Sequence, residues 1–178
     1  MIYAKSNPVG IDREIYRFQQ ALNEIDFNSD IYGRLYITNK DDIRLAEAYV
    51  ESGEYREVFV DDKKDAVFGF IVSGERTGLS FVKANIRLIC SMRLDRVYTT
   101  TERSDEEAIL RVLKVITPLI NSDNEGEIIT NIESVYEGID VERFKYRDMH
   151  PWLNFAITFD VAYMNDLCRT EEMIFKTT

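Results

Sequence analysis

The chain has 178 residues, 45% of them hydrophobic and 30% charged, and 22 Lys and Arg against 32 Asp and Glu leave a net charge of −10. That length and apolar content give one packed domain and exclude global disorder. The acidic balance argues against a free-standing nucleic-acid binder, because phosphates would be repelled, and suits a solvated surface or one that docks on a basic partner.

No run is long enough to cross a bilayer and no charged start leads into an apolar stretch, so neither a membrane span nor a signal peptide is expected. Cys90 and Cys168 are the only cysteines. They support neither a disulfide framework nor a cysteine metal site, and a reducing, cytoplasmic compartment is expected.

Asn7-Pro8-Val9-Gly10 opens the chain as a turn or an extended arm. Ile11, Ile15, Phe18, Leu22 and Ile25 then repeat at four and three, the stripe of an amphipathic helix that packs on a sheet. Ile31 to Thr38 is aromatic and β-prone and reads as a strand. Ile43, Leu45, Ala46, Tyr49 and Val50 read as a short helix over 41–51, stopped by Ser52-Gly53. Residues 55–60 and 66–73 are strand candidates around the charged turn 61–65, which predicts a hairpin. Residues 74–83 form an extended link with two glycines. Its Leu79 and Phe81 either pack on their own chain or meet a neighbouring subunit.

The centre of the chain is a strand followed by a helix. Ile86, Leu88, Cys90, Met92 and Leu94 alternate with Asn85, Arg87, Ser91, Arg93 and Asp95, which predicts a strand over 85–98 with one wet face. Arg87, Arg93 and Arg96 with Asp95 read as cross-strand ion pairs on that face. Ile109, Val112, Leu113, Ile116, Leu119 and Ile120 change the period to helical, and Ser104 with Glu107 has capping-box spacing. The polar loop 121–127 does not match a calcium loop. Residues 128–136 read as a strand, and a helical turn is expected around 140–144. Leu153, Phe155, Ile157, Phe159, Val161 and Tyr163 interleave with Asn154, Thr158 and Asp160, a strong strand signal over 152–164. Residues 165–178 read as a tail that orders on a partner.

No catalytic constellation emerges. His150 is the single histidine and precedes Pro151, so a Ser-His-Asp relay has one candidate and no nucleophile elbow to serve it. Neither a P-loop nor a dinucleotide fingerprint occurs. Glu142-Arg143-Phe144-Lys145 resembles a nuclease fragment that would need further acidic metal ligands, with Asp95 a candidate. No cofactor and no enzymatic activity are expected.

The expected fold is therefore α+β: a mixed, mainly antiparallel sheet with an N-terminal helix and a central helix packed on one face, in a single domain over 1–164 with an extended hairpin or loop at about 61–83. The Ile11/Ile15/Phe18/Leu22 helix, the strand Asn85 to Tyr98 leading through Ser104-Asp105-Glu106-Glu107-Ala108 into a helix, and the closing Pro151-Trp152-Leu153-Asn154-Phe155-Ala156-Ile157-Thr158-Phe159-Asp160-Val161 carry a resemblance. Together they resemble the tail terminator and tail completion proteins of tailed bacteriophages and the related neck ring proteins, with a likeness to the ring proteins of crAss-like phages. Residues 137–149 and the tail after Met164 have no counterpart in that pattern.

The resemblance implies a structural virion protein, assembled in the host cytoplasm into a homo-oligomeric ring of the neck or tail. The ring joins portal and tail proteins around a channel through which packaged DNA passes without specific binding. An extended hairpin reaches the next subunit in such proteins. By position, residues 61–83 fill that role, with Arg76, Thr77, Leu79 and Phe81 as the expected interface. The alternative from the residues alone is a small acidic binding or inhibitor-type protein docking on a basic partner, and a third reading is a metal-dependent nuclease.

Overall fold

The computed structural model describes residues 1–60, 63–77, 81–99, 104–120 and 126–164, with the backbone alone at 75–77, 143, 145 and 146. Eight strands form one mixed sheet: β1 (Ile2–Tyr3), β2 (Ser29–Lys40), β3 (Ile43–Tyr49), β4 (Tyr55–Glu57), β5 (Ala66–Thr77), β6 (Phe81–Arg93), β7 (Glu127–Ile129) and β8 (Trp152–Met164). Their order across the sheet is β4-β3-β2-β5-β6-β8-β7, with β1 beside β2. The β1–β2 and β2–β5 pairs are parallel and the others antiparallel. Helices α1 (Ile11–Asn23), α2 (Leu94–Val97), α3 (Ser104–Ile116) and α4 (Ile132–Val135) accompany them, with 3-10 turns at Thr117–Leu119 and Val141–Asp148. The expected α+β class is what the chain adopts.

Alternation builds the main core. On β6, Ile86, Leu88, Cys90 and Met92 are fully buried; on β8, Phe155, Ile157, Phe159, Val161 and Tyr163 point the same way. Opposite them lie Ile11, Ile15, Phe18 and Leu22 of α1 and Ala108, Val112 and Ile116 of α3. The Phe18 ring sits 4.9 Å from that of Phe159 and 6.3 Å from that of Phe70, so α1 is keyed to both β8 and β5. Both helices thus pack on one face of the sheet, as the stripe spacing requires.

The other face departs from expectation. It is wet only in part. Ile89 and Ser91 of β6 are buried, in a second core built from Leu35, Ala46, Ala48, Val67 and Ala156 on the sheet and Val58, Phe59, Ile132, Val135, Tyr136 and Phe144 above it. Most of the cover is the stretch around 132–144, with Val58 and Phe59 beside it. Arg87 holds this cover down rather than pairing across the strand: it donates to the Glu137 carboxylate at 3.0 Å and to the Glu137 carbonyl at 2.7 Å. Arg93 pairs locally with Asp95 at 2.6 Å, and Arg96 lies 3.9 Å from Asp65.

Five element assignments also change, and the first is the link expected over 74–83, of which 74–77 end β5 and 81–83 begin β6. Residues 43–49 are strand β3, not a helix, because Asp41 and Asp42 both take positive φ and close a two-residue hairpin turn between Lys40 and Ile43. Strand β4 pairs with β3, so the expected 55–60/66–73 hairpin does not form; β5 pairs instead with β6, and their turn at 78–80 lies outside the described residues. The central strand ends at Arg93, where Leu94–Val97 coils into α2. Residues 132–135 are a helical turn, because the Asn131 side chain accepts from the Glu133 and Ser134 amides.

Candidate functional site

The expected interface region falls where β5 ends, β6 begins and β8 ends. Backbone pairing sets Arg76 opposite Lys83 and Thr77 opposite Val82. The side chains of Arg76 and Thr77, and all of Leu79, lie outside the described residues. Phe81 is described in full. It pairs with Met164, the last residue of β8, and the two side chains share one face. Phe81 is 55% exposed and Met164 44% exposed.

Alternation explains why. Val82, Ala84, Val161 and Tyr163 turn into the main core. Phe81, Lys83, Ala162 and Met164 turn to the opposite face, beyond the reach of the second core, and all four are exposed. Asn85 donates to Asp160 at 2.9 Å at the inner border of this patch. Phe81 was legible as an apolar residue without an obvious home. Met164 and Ala162 were not singled out, although they continue the outward phase set by Asp160.

A second surface lies on the other side of the sheet, beside α1. On β2, β3 and β4, Tyr36, Tyr49 and Tyr55 share the face opposite Ala46 and Ala48. The Tyr55 ring meets Tyr36 edge-on at 5.6 Å and Tyr49 at 6.0 Å. The Arg34 guanidinium lies 5.6 Å from the Tyr36 ring centre. Lys5 bonds Asp12 at 2.8 Å beside them, and that hydrogen bond holds the ammonium above its ordinary pKa. A recess of about 20 Å³ is lined by Lys5, Asp12, Arg34, Tyr36 and Tyr49, and Tyr55 stands outside it. Tyr55 is 46% exposed. No sequence signal marks this surface, because tyrosines in β-prone runs read equally well as strand formers.

The remaining candidates separate. His150 is exposed beside the cis bond to Pro151. Asp95 is tied to Arg93, whose hydrogen bonds hold its carboxyl below the usual range. Glu142 is exposed in the 3-10 turn that Asp140 caps. Among the described residues, no three His, Cys, Asp or Glu side chains gather as a metal site would need. Cys90 is buried, and burial alone pushes its thiol well up, which disfavours the reactive thiolate. Cys168 and residues 121–125 lie outside the described residues.

A buried polar cluster backs the second core. Arg147 stacks over the Trp152 ring at 4.3 Å, its carbonyl accepts from Asn154 at 2.7 Å, and Tyr136 donates to Asn154 at 2.8 Å. These bonds fasten the 3-10 segment to β8. No described helix is long and apolar enough to cross a membrane. No protein family, curated protein or solved structure matches the chain.

Proposed function

We propose that the chain is a structural subunit that assembles into a ring in the neck or tail of a phage virion, joining portal and tail around the DNA channel. The observation that carries this reading is the Phe81–Met164 pair. Two large apolar side chains, each about half exposed, lie side by side where β6 begins and β8 ends, and a subunit contact would bury them. Their place at the end of β5–β6 agrees with the resemblance, in which an extended hairpin reaches the neighbour. The net charge of −10 suits a channel that packaged DNA passes without sticking, since phosphate contacts are what hold DNA.

A second reading has one observation in its favour. Asp105, Glu106 and Glu107 at the start of α3 are all exposed, a surface on which a basic partner could dock. Light scattering over a concentration series, with negative-stain images of the largest species, tests the ring reading. Closed rings, formed alone or on adding portal complexes, are expected. A monomer at every concentration that ignores portals would overturn the ring reading and leave the acidic binding module ahead.

A further inference from the structure

We infer that the contact between copies is head-to-tail: the Phe81–Met164 tip of one copy lies on the tyrosine surface of Tyr36, Tyr49 and Tyr55 of the next. This rests on the ring reading and names the two halves of its interface.

Closed rings other than dimers need a heterologous contact, made from two different patches on one protomer. The fold presents two such patches. The tip is at the β6–β8 side of the sheet, on the face of the second core. The tyrosine surface is at the β4–β3–β2 side, on the α1 face. Only β5 lies between β2, which carries Tyr36, and β6, which carries Phe81, but the patches face opposite sides of the sheet, so those of one chain cannot meet each other.

Their chemistry is complementary. The tip offers a projecting phenyl ring and a thioether, and thioether sulfur packs well against aromatic rings. The receiving side offers three tyrosine rings whose edges and faces are partly open. Its recess of about 20 Å³ is far below the several hundred Å³ that a small-molecule ligand needs, so the surface suits something laid across it rather than inserted. The charges also fit. The tip carries Lys83 and Asp160. On the tyrosine surface, Lys5 and Asp12 satisfy each other, and Arg34 stands over Tyr36, where it can meet Asp160.

Complementary mixing tests this. Phe81→Asp spoils the tip and leaves the tyrosine surface intact; Tyr55→Asp does the reverse. Both residues are about half exposed, and thermal unfolding confirms that each variant folds. Met164→Asp and Arg34→Glu form a second pair in case either first variant fails to fold. Each variant alone should be monomeric by light scattering. An equimolar mixture should double in mass and then stop growing with concentration, because it holds one good interface and two dead ends. If the wild type assembles but the mixture stays monomeric, or if either variant assembles as the wild type does, the head-to-tail pairing is wrong while the ring reading stands. Assembly of Tyr55→Asp alone would indicate tip-to-tip contact. A wild type that never self-associates, with or without portals, removes both.

Discussion

Glu47 shows how a single carboxylate ties a turn to the strand that follows it. It is buried on β3, where one oxygen accepts from the Lys40 ammonium and the other from the Thr38 hydroxyl at 3.0 Å. The Lys40 bond is the main reason its carboxyl lies below the ordinary value; burial opposes it and the Thr38 bond adds to it. A depressed folded value means that the stabilisation is complete above the unfolded carboxylate range and is lost as pH falls through the folded value. Glu47→Gln should therefore be less stable than wild type at neutral pH, and the difference should close as the solution is acidified. Urea midpoints measured from neutral pH to about pH 2 check this; a gap that stays constant would show that the ionised form contributes nothing. The Asp95–Arg93 pair follows the same sign but is more open to water, so screening reduces its share.

The turn that Glu47 steadies is itself a strained element. Asp41 and Asp42 take φ of 52° and 64° between the paired Lys40 and Ile43, which is the two-residue loop that Asn-Gly fills best. Aspartate tolerates this region better than most residues but still at some cost. Replacing the pair with Asn-Gly should raise stability by roughly 1 kcal/mol through relief of the left-handed strain, seen as a higher urea midpoint with unchanged slope. A lower midpoint would refute the strain account. The same turn explains a misreading. Ile43, Leu45, Ala46, Tyr49 and Val50 fit a helical period and a strand period almost equally, and the signal that decides between them, two aspartates at positive φ, is not visible as a motif. The run at 128–136 is strand only as far as Ile129 for a related reason: Asn131 caps a helical turn in its middle. By contrast α1 and β8 have unambiguous periods, and both emerged almost to the residue, at Ile11–Asn23 and Trp152–Met164.

At the scale of the whole molecule, what the sequence concealed is a layer. Asn85, Arg87, Ser91 and Arg93 made the odd-numbered face of β6 look wet, and between Asn85 and Arg93 Ile89 was its one apolar residue. That residue marks the second core, but its cover comes from Val58 and Phe59 earlier in the chain and from residues 132–144 later in it, which periodicity cannot connect. The proposed interface was half legible for a similar reason: Phe81 stands out locally, whereas its neighbour Met164 is brought to it by pairing across the whole second half of the chain. Strand β8 is what joins these distant parts. It pairs with β6 from Phe81↔Met164 to Arg93↔Trp152, gives Phe155, Ile157, Phe159, Val161 and Tyr163 to the main core, and gives Ala156 to the second. Burying those five large side chains is worth on the order of 10 kcal/mol as an upper estimate, comparable to the entire net stability of a typical domain. A chain ending at Pro151 should therefore show no cooperative urea transition by circular dichroism, and adding a peptide of residues 152–164 should restore one. Cooperative unfolding of the shortened chain near the wild-type midpoint would mean that the helices and β5–β6 hold together without β8, and that the two cores are independent rather than joined through one strand.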